Sequence, residues 1–255
     1  MFAAKLMHDG RILHYTSGTC IVEAHSPRWH AASIHIMAEI VIPWNAARRW
    51  LLPAALILLS AHLLVWMYHY WIADVPWLVR QLVALDEENN LPTWFSSFLL
   101  LTASAALVLK RAGHDPMATG AMSTTRELRF WSLLAGGFFV LAIDEVAGLH
   151  ESFHSAIDTL WVWSAAVLVA ACALYFVPLL RILPRRTMLL YVLSGAIFVG
   201  GALGVETIGA PMDADTLIYE VTVLVEEGME MMGVLLFIDA TLASIGKKTI
   251  PVRID

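Results

Sequence analysis

The chain has 255 residues and a formal charge of −6, with 59% hydrophobic residues and only 15% charged ones. A mean hydropathy of +0.69 excludes an ordinary soluble domain, and the absence of a basic run excludes a nucleic-acid footprint, so the expected solvent is the lipid bilayer. The two cysteines, Cys20 and Cys172, stand far apart, so neither a disulfide framework nor a thiolate zinc site is expected, and any metal here must use oxygen and imidazole.

Residues 1–45 carry scattered His, Ser and charge without the apolar stretch of a signal peptide and without a helical period, and are expected to be a cytoplasmic tail. A start at Met37 is the alternative, because Met37 and Glu39 lead directly through Arg48 and Arg49 into the first apolar run. Six apolar segments then follow, over 50–73, 94–112, 130–149, 160–183, 188–208 and 217–245, each of about the 20 residues a bilayer crossing needs. The expected fold is all-α: one polytopic membrane domain of six helices over 46–248, closed by a short tail at 249–255. Gly136, Gly137, Gly200, Gly201 and Gly204 inside these segments are expected to serve close helix packing.

Basic residues set the orientation, because Lys and Arg near span ends stay cytoplasmic. Arg48 and Arg49 precede the first segment; Lys110, Arg111, Arg126 and Arg129 lie between the second and third; Arg181, Arg185 and Arg186 separate the fourth from the fifth; Lys247, Lys248 and Arg253 follow the sixth. Arg80 alone falls on the other side. Both termini are therefore expected in the cytoplasm, with the chain in a bacterial inner membrane and an acidic outer loop holding Asp86, Glu87 and Glu88.

Counted by helical rise from the cytoplasmic ends, Asp144, Glu151, Glu206, Glu227, Glu230, His62 and His69 all fall in the outer half of the membrane, within a slab about 15 Å thick. Ionisable groups at such depth face a bundle interior or a cavity and mark function. Around the third helix, Glu151 lies about 20° from Asp144, His154 about 80° and His150 about 120°, so these four share one broad face while Glu145 points elsewhere. Glu145, Asp158 and Glu220, taken singly, are expected to reach into the lipid headgroups. Glu227 and Glu230 are too deep for that.

The run from Asp144 to His154 contains two overlapping metal patterns. As H-E-x-x-H, His150 and His154 would bind zinc with Glu151 as catalytic base, which is the logic of a zinc hydrolase. As E-x-x-H, Glu151 and His154 would be ligands in a carboxylate-rich di-iron or di-manganese centre, completed by Asp144, Glu206, Glu227 and Glu230. The second pattern accounts for more of the acids, and suits an oxidoreductase acting on a small apolar or lipid-soluble substrate. Two further possibilities are a non-enzymatic cation or proton pathway, and a haem held by His62 and His69, which lie two turns apart on one helix face. Spread through the whole membrane thickness would be expected of a pathway, and the acids here occupy one half.

The segment Asn90-Leu91-Pro92-Thr93-Trp94-Phe95-Ser96-Ser97 has the marks of a helix start, with Pro92 in the first turn and Trp94 at the interface. It lies at the same face as the acids, which leaves a lid or ligand role open for Glu87 or Asn89. Together with Asp144, Glu145, His150, Glu151, Glu206 and the Glu226-Glu227-x-x-Glu230-x-x-Gly233 run, it resembles a group of bacterial six-helix membrane proteins over about residues 85 to 240 of this chain. That resemblance implies an architecture and a motif set and brings no activity with it. In its pattern His154 takes no part, and His150 would serve with Asp144, Glu151, Glu206 and the glutamates of the last helix.

Overall fold

The computed structural model describes residues 4–8, 11–16, 19–23, 35–41, 44–113, 124–148, 160–245 and 249–254. Its body is helical. Helix α1 runs Trp44–Trp71, a short α2 Trp77–Val83, α3 Leu91–Ala112, α4 Thr124–Ala147 and α5 Leu160–Ile182. Helix α6, Arg185–Val199, passes through a π-helical turn at Gly200–Val205 into the four residues of α7, Glu206–Gly209, and α8 spans Leu217–Ser244. The six expected segments thus all emerge as helices. Helix α2, inside the outer loop, was not expected.

Among the described residues, five stretches are long and apolar enough to cross a membrane: Arg49–Trp71, Leu91–Ala112, Thr125–Ala147, Trp163–Ile182 and Arg185–Gly209. Helix α8 is not among them; it carries Glu220, Glu226, Glu227, Glu230 and Asp239 along its length.

The terminal segments, expected as tails, pair as strands. They are β1 (Ala4–His8), β2 (Arg11–Thr16), β3 (Thr19–Glu23), β4 (His35–Val41) and β5 (Thr249–Ile254), in an antiparallel sheet ordered β3-β2-β1-β4-β5. In β4 and β5 Ile36 pairs with Ile254 and Val41 with Thr249. Five- to seven-residue runs of this kind are short for a period-two signal to stand out from sequence, which is why strands were not expected in the terminal segments; the body between them is all-helical, as expected.

The most acidic helix is also the most central. Helix α8 packs against α1, α3, α6 and the π turn, and contributes Val223, Met231, Val234, Phe237 and Ile238 to the core. Small hydroxyls stitch the helices together, as expected where apolar burial alone does not distinguish helix from lipid. Ser97 donates to the carbonyl of Ala142 at 2.8 Å and Ser104 to that of Ala135 at 2.9 Å, joining α3 to α4. Ser194 donates to the carbonyl of Gly233 at 2.9 Å, joining α6 to α8.

Glycine packing is real at some positions and absent at others. A Cβ at Gly201 would lie 2.7 Å from the carbonyl oxygen of Glu226, and one at Gly233 2.9 Å from the backbone of Phe198; there the α6 and α8 backbones nearly touch. At Gly136, Gly137 and Gly204 a Cβ would meet nothing within 4 Å. The packing expected of these three is therefore not found, because they face away from neighbouring helices.

Candidate carboxylate site

Asp144 and Glu145 near the end of α4, Glu206 just past the π turn, and Glu226, Glu227 and Glu230 on α8 line one cavity of about 440 Å³. Each is half-buried. The π turn contributes to this convergence, because its wider coil lets Gly200 and Gly201 sit directly on Met229 and Glu230 and so holds Glu206 against α8. Single-turn π segments inside α-helices recur at functional sites for this reason. The acids are close enough for their charges to act on one another: Glu230 feels Glu145, Glu226 and Glu206, and Glu227 feels Glu230, Glu145 and Glu226.

The rest of the lining is apolar, including Leu100, Leu141, Leu168 and Phe198. Among the described residues, none of the lining is basic. Beside the cavity, Ser96 of α3 shares a narrow cleft with Glu145 and Glu230.

Four of the expected site residues, Asp144, Glu206, Glu227 and Glu230, thus come together. Two members were missed. Glu145 was expected to point away from Asp144, yet the cavity is broad enough for consecutive residues, about 100° apart on the helix, to line it together. Glu226 is one turn before Glu230, and that i, i+4 spacing was the signal available for it. His150, Glu151, His154 and Asp158 lie outside the described residues. Among the described residues no three His, Cys, Asp or Glu side chains are grouped closely enough to hold a metal ion.

His62 and His69 stand apart from this cavity. His62 is fully buried; its Nδ1 accepts from the backbone N–H of Leu85 at 3.3 Å, which puts the ring proton on Nε2, and Nε2 donates to the carbonyl of Glu220 at 3.2 Å. The Glu220 carboxyl itself lies 3.4 Å from the same nitrogen and is only 3% exposed. Glu220 therefore does not reach into headgroups as expected; it closes α8 against α1. His69 Nδ1 accepts from the backbone N–H of Val75 at 3.2 Å, its Nε2 lies 3.3 Å from an Arg80 nitrogen, and Arg80 covers the Trp66 ring at 5.3 Å.

The loop between α1 and α3 is tied down by side-chain bonds. Asn90 caps α3, accepting from the N–H of Thr93 at 3.1 Å, and Pro92 occupies the first turn, while Trp94 stands 62% exposed where interfacial anchoring was expected. Glu87 accepts from Gln81 at 3.1 Å and Asp86 from the Tyr219 hydroxyl at 3.2 Å. Glu88 reaches the end of α4: Gly148, with φ at +56°, ends that helix so close to it that a Cβ would run into the Glu88 carboxyl. Only glycine suits both that backbone and that approach.

Apolar helices of membrane-spanning length and an acid-lined cavity beside them define a multi-pass helical membrane protein. Residues 48–245 match the family described as domain of unknown function DUF8692. The chain belongs to that family. No curated protein and no solved structure matches it.

Proposed function

We propose that this chain is a bacterial inner-membrane protein of six spans whose carboxylate centre, near the periplasmic face, binds iron or manganese and serves an oxidoreductase acting on a lipid-soluble substrate. The observation that carries the proposal is the convergence of six acids from three helices on one cavity whose described lining holds no basic residue. Such a charge requires neutralisation inside an apolar bundle, and a hard or borderline cation on carboxylate oxygens supplies it.

The topology has independent support. Pairing of β4 with β5 brings the two ends of the helical body together, which supports an even number of crossings, with α8 as the sixth after the five apolar stretches. In that topology Arg49, Arg111, Arg126, Arg181 and Arg186, which stand at helix ends, would share the side expected of cytoplasmic residues.

Asp144, Glu206, Glu227 and Glu230 would hold the cation, with His150 and Glu151 following Asp144 closely in sequence. Bound there, iron or manganese would supply one-electron chemistry. The chain's own contribution is to position the acids and to surround them with Leu100, Leu141, Leu168 and Phe198, which keep water out and leave room for an apolar substrate. At the opposite end the bundle is sealed: Lys110 donates to Ser244 at 2.6 Å and covers Trp131 at 4.8 Å, and Tyr191 bonds Thr241 at 3.0 Å. That seal supports a one-sided site over a through-pathway.

A second reading is a centre that holds protons in place of a metal. It is favoured by the lack, among the described residues, of three side chains grouped for a metal. Metal analysis of the purified full-length protein decides between the two. About two iron or manganese per chain is the expected result for a di-metal carboxylate centre, falling at least tenfold in Glu227→Gln and Glu230→Gln. A single zinc that survives both substitutions supports the hydrolase built on His150, Glu151 and His154. Folded, metal-free wild-type protein overturns the metal reading and leaves the proton one.

A further inference from the structure

Beside the acid-lined cavity lies a second one of about 210 Å³ with apolar walls, among them Leu134, Phe138, Phe176 and Phe237. Leu141 and Phe198 belong to the walls of both, so the two adjoin. Their relation along the helices is consistent on two separate elements. On α4, Leu134 precedes Asp144 by ten residues, and on α8, Phe237 follows Glu230 by seven; at the helical rise both place the second cavity about 10–15 Å deeper in the membrane than the acids. Helix α5 forms one wall of each cavity, through Leu168 and Val169 above and Phe176 and Leu179 below. It is the least embedded of the spans, with 6% of its apolar window buried, so both cavities lie at the edge of the bundle where lipid stands.

We propose that the adjoining cavities bind a lipid with one long hydrocarbon chain and a hydroxyl-bearing head, the head among the acids and the chain along Phe138, Phe176 and Phe237. The inference rests on the acids being a site for a lipid-soluble substrate and adds the class of that substrate. Hydrogen bonding selects the head: a carboxyl accepts from a hydroxyl whether ionised or protonated, and a protonated one also donates to it, while the hydroxyl oxygen suits a hard cation. A phosphate head fits less well, because every ionised member of the acid cluster repels it. The second cavity has half the volume of the first, which suits one chain and excludes a two-chain phospholipid.

Gly195 offers a clean test, because it lines the second cavity and a Cβ there meets nothing within 4 Å. Full-length protein in detergent is irradiated with a hexadecanol carrying a diazirine on its chain, and labelled peptides are quantified by mass spectrometry, with metal content measured on the same samples. Label is expected on α4, α5 and α8, at least tenfold lower in Gly195→Leu and retained in Gly195→Ala, with metal content equal in all three. Excess phosphatidylglycerol is expected to leave the label unchanged. Equal labelling of wild type and Gly195→Leu, or displacement by the phospholipid, overturns the lipid site while leaving the metal reading intact. Labelling that follows the expected pattern in metal-free protein upholds the lipid site and removes the metal reading.

Discussion

His62 shows how a buried polar residue can have the depth of a ligand and the connections of a strut. Both of its ring nitrogens are engaged, one by the outer loop at Leu85 and the other by Glu220 of α8, so a single imidazole on α1 holds three parts of the chain together. His62→Ala removes both bonds and leaves buried partners without them, at a cost of about 2–4 kcal/mol. The expected outcome is a clearly lowered unfolding temperature in detergent with metal content per folded chain unchanged. Loss of metal at unchanged stability would instead make His62 a ligand. Sequence assigned His62 a depth, but depth does not say which neighbour meets a ring, and the partner at Glu220 lies 158 residues away. Glu145 and Glu226 were passed over for the opposite reason: angular bookkeeping on one helix treats a site as a line, and this one is a broad cavity between three helices.

Among the elements, the π turn at Gly200–Val205 and its contact with α8 matter most. Gly201 has no room for a Cβ beside the backbone of Glu226, whereas Gly136 on α4 faces open space. Gly201→Leu is expected to push α6 and α8 apart and destabilise the protein by about 1–3 kcal/mol, the range for overpacking, and to lower metal retention by separating Glu206 from Glu230. Gly136→Leu serves as the control and is expected to leave both unchanged. Thermal unfolding with metal analysis of the two variants checks this; equal effects would remove the special status of the π turn. The glycine pairs were visible in sequence, but which pair packs depends on the face each presents, and a one-residue shift of coil at the π turn decides that.

On the scale of the whole molecule, the bundle is arranged around α8, the helix that composition alone would rank last as a membrane span. Its acids face Asp144, Glu145 and Glu206 across a shared cavity, while apolar helices stand around it. The proposed topology places Cys172, exposed on the surface of α5, at mid-membrane among lipid chains. In a Cys20→Ser background, a charged maleimide is expected to leave Cys172 unlabelled in intact membranes and to label it fully after solubilisation in SDS. Rapid labelling in intact membranes would show that this face of α5 meets water and would contradict a bilayer-facing α5.

The number of helical segments, their order, the basic ends and the shared depth of Asp144, Glu206, Glu227 and Glu230 were legible in sequence alone, because bilayer thickness and the helical rise convert composition directly into length and depth. Membership of the site, the use of His62, the position of Glu88 against Gly148 and the pairing of the chain's two ends were decided only by tertiary structure. These depend on the rotation of each helix about its axis and on which helices become neighbours. Both are set by side-chain packing between segments far apart in the chain, about which a local hydropathy pattern carries no information.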